Sequence, residues 1–222
     1  MNARNEVSAP PADGLAAWIT PARTALVVID VQVDFAAPDG ALGPYVDLSS
    51  VPAAVANCQT LIDAAHAAGA LVVFVKLETD PSTDSAAWRE RMRRRGGDPD
   101  TEYGLCRKGT RGAELWGVTP APGDPIVSKT KYSGFYETDL APILVAHGRD
   151  TVICCGLTTE CCVDATAKDA FHQDYHVLVA SDASAAYGAE LHQASLHNLE
   201  LNAAILASTA EIVAAWEPAH GR

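Results

Sequence analysis

Three side chains of complementary chemistry stand just past short apolar runs: Asp30 after residues 25–29, Lys129 after Ile126 and Val127, and Cys162 beyond the turn 156–159 that follows residues 151–155. In open parallel sheets ligands bind outside the carboxyl ends of the strands, so residues that follow strands are the first to examine for chemistry. A carboxylate, an ammonium and a thiol are the parts of an activated sulfur nucleophile. Taken singly, each has an ordinary explanation. Cysteine packs as a small hydrophobe, an aspartate at a strand end caps the next turn, and a lysine near one is solvated. Their joint placement at three strand ends is what points to catalysis. Strand order is not visible in a sequence, so the residues alone leave open whether Lys129 reaches the other two.

Two adjacent thiols, Cys161 and Cys162, compete for the nucleophile role. A helix over 160–172 has Val163, Ala167, Ala170 and Phe171 as an apolar stripe at helical spacing. At about 100° per residue, Cys162 falls at the edge of that stripe, whereas Cys161 points away with Lys168 and His172. Thr158 or Thr159 can cap the helix. The unpaired first-turn N–H groups and the positive end of the dipole then lie near the Cys162 sulfur. That arrangement lowers a thiol pKa from its free value of about 8.5 and offers donors to an oxyanion.

The elements that must position these groups follow from the alternation of short β-branched runs with Ala-rich helical stretches, the pattern of a parallel sheet covered on both faces. Strands are expected at 25–29, 71–75, 125–127, 151–155, 177–180 and 211–213, the last being short and partly polar. Helices are expected at 51–68, 138–146, 160–172 and 189–206. The first of these turns Val55, Leu61, Ile62 and Ala65 inward and has Gly69 at its C-terminal cap position. Residues 78–123 differ in composition, being charged and rich in Gly and Pro, with Arg89, Arg91 and a run of arginines over 93–95. They read as an excursion over one face, whose basic run is either solvated or paired with a neighbouring subunit. No repeat or linker divides the chain, which reads as a flexible arm over 1–20 followed by one α/β domain over 21–222.

Composition removes several classes of function. The chain of 222 residues is 48% hydrophobic, enough to close a sizeable core. Its apolar runs are strand-length, well short of the roughly 20 residues that span a bilayer. With 16 Lys+Arg against 28 Asp+Glu the formal charge is −12, which repels phosphate backbones, so neither nucleic acid nor membrane is an expected partner. The opening residues lack the basic and apolar regions of a signal peptide, which leads us to expect a cytoplasmic location. The six cysteines read as reduced thiols, because the adjacent pairs are poorly placed for bridging. No C-x-x-C or H-E-x-x-H occurs, and His192 and His197 do not share a helix face, so no metal site is expected.

The sequence resembles the isochorismatase-like cysteine hydrolases over nearly its whole length from about Thr24. The likeness rests on Val28-Ile29-Asp30-Val31-Gln32 with Asp34-Phe35, on the block from Ser128 through Lys129 to Phe135 followed by Thr138-Asp139-Leu140, and on Gly156-Leu157-Thr158-Thr159-Glu160-Cys161-Cys162-Val163 followed by Thr166-Ala167 and Asp169-Ala170. The resemblance implies a three-layer α/β/α sandwich, Rossmann-like, with a six-stranded mostly parallel sheet and no cofactor. It implies a triad of Asp30, Lys129 and Cys162, with Lys129 chosen over Lys131 by its position relative to Tyr132-Ser133-Gly134-Phe135. It also implies a cis peptide at Leu157-Thr158, an oxyanion hole of the Thr158 and Cys162 backbone N–H groups, and assembly as a homodimer or homotetramer.

Departures from family subtypes narrow the expected substrate. Isochorismate hydrolases cleave a vinyl ether and lack a cysteine at the position of Cys162. Nicotinamidases of the family carry a metal-binding histidine soon after the second strand, where this chain reads Lys76-Leu77-Glu78-Thr79-Asp80. The resemblance is strongest to ureidoacrylate, biuret and N-carbamoyl amidohydrolases. The expected activity is hydrolysis of a C–N bond in a small linear amide or ureido compound through a thioester. The alternatives are vinyl-ether or nicotinamide hydrolysis, or a non-catalytic binding protein on the same fold. Phe35, Trp116, Tyr132 and Phe135 are candidate pocket residues because each lies near a motif at the sheet's carboxyl edge. Glu78 is a candidate hydrogen-bonding partner for a substrate amide or amine.

Overall fold

A computed structural model describes residues 14–102 and 104–217. In chain order its elements are α1 (Leu15–Trp18), β1 (Thr24–Ile29), α2 (Val33–Ala36), α3 (Val51–Ala68), β2 (Leu71–Leu77), α4 (Ala86–Arg94), α5 (Pro99–Glu102), β3 (Ile126–Lys129), α6 (Leu140–Ala146), β4 (Thr151–Leu157), α7 (Asp164–His172), β5 (His176–Ala185), α8 (Ala189–Asn202), β6 (Ile205–Ala207) and α9 (Thr209–Trp216). The strands form one sheet in the order β3-β2-β1-β4-β5-β6 with every pairing parallel.

Both faces of this sheet are covered, and for that reason the central strands carry no polar alternation. All six residues of β1 and all seven of β4 are buried. Successive residues of β1 enter opposite layers. Leu26 and Val28 pack with Val55, Leu61 and Ile62 of α3 and Ile212 of α9. Ala25, Val27 and Ile29 pack with Leu140 of α6, Ala167 of α7 and Leu199 of α8. Helix α3 buries the four residues its periodicity assigns inward, together with Cys58. It ends at Gly69, whose φ of 78° is left-handed and lets its N–H return to the Ala65 and His66 carbonyls.

The chain winds outward from β1 to β3 on one side and then returns to lay β4 on the other side of β1. Loops leaving β1 and β4 therefore part in opposite directions, which opens a crevice at the carboxyl edge between them. Gly156 on β4 lies opposite Ile29 and has φ 116°, and a Cβ there would come within 2.0 Å of the Ile29 carbonyl oxygen. Only glycine allows the two strands to approach so closely where the crevice begins.

Several expectations need correction. The sixth strand is Ile205–Ala207, pairing Leu178 with Ile205, and residues 211–213 belong to α9. The Ser208 side chain accepts from the Glu211 N–H while the Glu211 carboxylate accepts from the Ser208 N–H at 2.7 Å, a capping box that starts a helix at the place where a strand was expected. Helix α8 consequently stops at Asn202 instead of running to 206. Phe171, assigned to the apolar stripe of α7, is 49% exposed. The first part of the arm expected over 1–20 lies outside the described residues. Its last part packs on the fold, since Leu15–Trp18 is helical, Ile19 is buried and the Trp216 indole N–H donates to the Ile19 carbonyl at 2.7 Å.

Residues 78–123 do cross one face, and it is the carboxyl edge of the sheet that they cover. Thr79 and Arg107 form a parallel bridge, and Gln32 and Leu115 an antiparallel one. Several arginines of this segment pair within it, Arg93 and Arg94 with Glu90, Arg89 with Asp84 and Asp100, and Arg107 with Asp84 through two bonds of 2.8 Å, whereas Arg111 pairs with Asp39 outside it. Among the described residues no helix is long and apolar enough to cross a membrane.

Candidate active site

At the end of β1 the chain turns sharply: Asp30 has φ 49°, its N–H donates to the Val75 carbonyl at 2.8 Å, and its carboxylate enters the crevice. A non-glycine residue with positive φ is strained, and such strain persists where neighbouring structure fixes it. Lys129 ends β3, in register with Leu77 of β2, and so lies two strands away from Asp30. Neighbouring strands are about 4.8 Å apart, a separation that the long lysine stem spans across the end of β2.

The Lys129 ammonium holds the site together. Its Nζ lies 2.7 Å from Asp30 Oδ2, 3.4 Å from Cys162 Sγ and 2.9 Å from the Lys131 carbonyl oxygen. Those three neighbours match the three donors of an ammonium. Asp30 and Lys129 are each 1% exposed and Cys162 is 7% exposed. Burial disfavours the Lys129 ammonium, but Asp30 and then Cys162 outweigh it and raise the lysine above its ordinary value. Lys131, the competing lysine, instead places its ammonium over the Trp88 ring at 5.5 Å. The Asp30 Oδ1 atom is buried and has no hydrogen-bond partner among the described residues, which leaves its lone pairs for a proton or a ligand.

Cys162 is presented by a π-helical turn, Thr159–Val163, that leads into α7, so the helix expected from residue 160 begins with a widened turn. Thr158 occupies the N-cap with extended backbone, preceded by a cis peptide at Leu157-Thr158, and its side chain makes no capping bond. Its carbonyl instead accepts from the Cys161 and Val163 N–H groups. The turn is anchored from outside. Thr159 Oγ1 meets His192 Nδ1 at 2.8 Å, Ser195 Oγ donates to the Thr159 carbonyl at 3.0 Å, and Thr166 Oγ1 donates to the Cys162 carbonyl at 2.6 Å. Thr166 Oγ1 also accepts from the Gly134 N–H at 2.9 Å, tying the loop after Lys129 to the thiol's turn.

The thiol itself behaves differently from expectation. The contact with Cys161, burial and the Asp30 carboxylate together hold Cys162 well above the ordinary thiol range, against the pull of Lys129. The contact between the sulfurs lowers the less buried Cys161 instead. A resting thiolate created by the helix N-terminus is therefore not what sets Cys162 apart. What sets it apart is a buried ammonium that contacts both its sulfur and a buried carboxylate.

These groups open into a cavity of about 760 Å³ whose lining includes Asp30, Thr158 and Cys162. Of the five candidate substrate residues, Phe35 and Tyr132 line it. Glu78 does not, because its carboxylate is taken by the Ser128 hydroxyl and by Lys76 at 3.5 Å. Trp116 is 37% exposed and lies away from the lining, with its backbone N–H donating to the Val31 carbonyl at 2.9 Å. Phe135 is buried in the core against Tyr175. Sequence reasoning missed Glu160, Trp88, Arg91, Met92, Leu105 and Tyr187, all in the lining. It also missed how the cover is fastened. Gln32 Nε2 donates to the Leu77 and Ala113 carbonyls at 2.9 and 3.0 Å, and the Asp34 carboxylate accepts from the Cys106 N–H at 2.6 Å. Gln32 and Asp34 stand in the first motif, so the buried polar side chains were in view, but their distant partners were not. Among the described residues no group of three His, Cys, Asp or Glu side chains is arranged to hold a metal ion.

The fold and site define the class of protein, and comparison with known proteins agrees. Residues 24–211 match the Isochorismatase domain. The chain belongs to the isochorismatase family. It is 36% identical over 196 residues to the ureidoacrylate amidohydrolase RutB of Methylobacterium radiotolerans, covering 82% of this chain and 75% of that one. It is 35% identical over 198 residues to RutB of Pseudomonas syringae pv. syringae, covering 81% and 78%. Among solved structures, a cysteine hydrolase from Pseudomonas syringae pv. phaseolicola 1448A superposes with a TM-score of 0.79 at 31% identity, covering 89% of this chain and 93% of that one.

Proposed function

We propose that the protein is a cysteine amidohydrolase that cleaves a C–N bond of a small linear amide or ureido compound, with Asp30, Lys129 and Cys162 as its catalytic residues. The observation that carries this reading is the single ammonium in contact with both Asp30 Oδ2 and Cys162 Sγ beside the cavity. The relatives named as ureidoacrylate amidohydrolases support the bond type. Arg91 supports a substrate with an anionic end. It lines the cavity and has no ion pair among the described residues, whereas Arg89, Arg93 and Arg94 of the same helix are all paired.

In this mechanism Asp30 takes the Cys162 thiol proton as the sulfur attacks the carbonyl carbon. A general base is needed because the thiol is protonated at rest. Lys129 steadies the charge on both partners, and the oxyanion is received by the Thr158 and Cys162 backbone N–H groups. Asp30 then gives its proton to the departing nitrogen, and ammonia or an amine leaves as the C–N bond breaks. Water next attacks the thioester and passes a proton to Asp30. Collapse releases the acid, and the sulfur regains its proton from Asp30.

The test is an ammonia-release screen over ureidoacrylate, biuret, N-carbamoyl amino acids, nicotinamide and simple aliphatic amides, run with and without chelator. Turnover of a ureido or linear amide compound, unchanged by chelator and absent in Cys162→Ala, is the expected result. Turnover of nicotinamide alone, lost on chelation, would overturn the reading.

A further inference from the structure

Glu160 lies two residues before Cys162 on the same π-helical turn and lines the same cavity. Its Oε2 atom is shut off from solvent and has no hydrogen-bond partner among the described residues. Its neighbours give it little relief. No salt bridge to Glu160 is formed by any described lysine, arginine or histidine, although its charge is felt at His192 and Tyr187. A carboxylate oxygen removed from water without a donor carries a desolvation penalty, and such atoms are rare unless a ligand or another group completes them. The turn's own first N–H groups are near, but the Cys161 and Val163 amides already serve the Thr158 carbonyl.

The cavity wall is otherwise poor in acceptors. Leu42, Leu77, Met92, Leu105 and Leu157 make much of it apolar, and Asp30 is engaged with Lys129. A substrate that brings an N–H group beside its carbonyl must find an acceptor there; of the three carboxylates in the lining, Asp30 is committed to proton transfer beside Lys129, Asp98 already accepts from the Asp100 N–H at 3.0 Å, and Glu160 Oε2 has no partner among the described residues. We propose that Glu160 is a specificity-determining residue that accepts a hydrogen bond from an N–H flanking the scissile carbonyl, so that the site selects ureido and primary-amide groups over N-alkylated or ester analogues. This assignment rests on the amidohydrolase reading for its substrate. A site built to hydrogen-bond an N–H rejects analogues lacking it far more strongly than an apolar pocket discriminates by size, because the acceptor is then left unpaired.

The experiment has two arms, each comparing the wild-type protein with Glu160→Gln, which keeps an acceptor oxygen, and Glu160→Leu, which does not. Thermal unfolding confirms that each variant is folded. In the first arm Cys162 is alkylated with iodoacetamide or with its N,N-dimethyl analogue. The S–C bond forms as the C–I bond breaks, iodide leaves and the thiol proton passes to base. The rate at Cys162 is followed by site-resolved mass spectrometry and divided by the rate with a free thiol in solution. The wild-type protein should favour iodoacetamide by about tenfold or more, the scale of a hydrogen bond to a charged group. Glu160→Gln should keep most of that preference and Glu160→Leu should erase it.

In the second arm the same three proteins hydrolyse a ureido compound and its counterpart methylated at the retained nitrogen. The ratio of kcat/KM values should fall about tenfold or more in Glu160→Leu, with the loss concentrated on the N–H-bearing compound. A preference that stays the same in all three proteins in both arms overturns the assignment, and so does an equal loss on both members of each pair, which marks a structural role. If the alkylation preference depends on Glu160 but no amide or ureido compound is hydrolysed, the assignment stands and the amidohydrolase reading falls.

Discussion

One strand and the turn after it carry two cysteine pairs with opposite fates. Cys154 and Cys155 lie within β4 and point into the two core layers. Burial pushes the Cys154 thiol up to about 12, and contact with Cys58 together with burial raises Cys155 well above its ordinary value. Neither sulfur has a charged side chain among its described partners: Cys155 meets Cys58 and the Val27 carbonyl, the latter at 3.8 Å. Cys162 is also buried and also raised, yet it faces Asp30 and Lys129. Burial and thiol pKa therefore fail to distinguish Cys162 from Cys154 and Cys155. Position at the crevice between β1 and β4, where charged groups from three strand ends converge, does distinguish them.

The comparison can be broken by substitution, and the largest effect is expected at Cys162. Cys162→Ala should lower turnover by about 10⁴-fold or more with the thermal midpoint little changed, since the alanine leaves Asp30 and Lys129 paired. A variant keeping a tenth of the wild-type rate would remove the covalent route. Asp30→Asn should lower kcat by roughly 10²–10⁴-fold, the range of a general base, and should also destabilise the fold by about 3–5 kcal/mol in urea titration because it strands the buried Lys129 ammonium. Cys154→Ser should reverse that pattern, costing about 1–3 kcal/mol for a hydroxyl with no partner while leaving kcat intact. Cys161→Ser should be the mildest, within about threefold in kcat/KM, because Cys161 contacts neither Asp30 nor Lys129 in the ion pair and hydrogen bonds that hold the site.

A pH series sharpens the same contrast. A thiol whose pKa is raised gives up its proton only above the ordinary thiol range, so alkylation of native Cys162 should still be climbing above pH about 8.5. Cys154 and Cys155 should stay unlabelled across that range until the protein unfolds. A plateau for Cys162 below pH about 7 would show a resting thiolate and contradict the assignment of Asp30 as the base.

The reach of the sequence differed between sheet and cavity for physical reasons. Strands β1, β2 and β4 are legible because a parallel strand buried on both faces must be a continuous apolar run, as Leu26 to Ile29 and Val72 to Val75 are. Strand β6 was not, because Ile205–Ala207 is short and follows α8 with little polar punctuation, although the Ser208 to Glu211 capping box was present to mark a new helix. Asp30, Lys129 and Cys162 were legible as three strand-end groups, but their contact depends on strand order. Tyr132 and Phe35 sit beside motifs and reach the cavity, whereas Phe135, next in the same block, turns into the core. Trp88, Arg91 and Met92 come from α4, whose position over the sheet edge no local pattern encodes.

The central claim is that Cys162 forms a covalent acyl intermediate with Asp30 as its base. Rapid acid quench of the protein with a turned-over ureido or amide substrate, followed by peptide mass analysis, tests it most directly. The account predicts the acyl mass on Cys162 during turnover, absent from Cys161 and lost in Asp30→Asn. An active protein quenched without any mass increase on Cys162, or with the increase on Cys161, would contradict it.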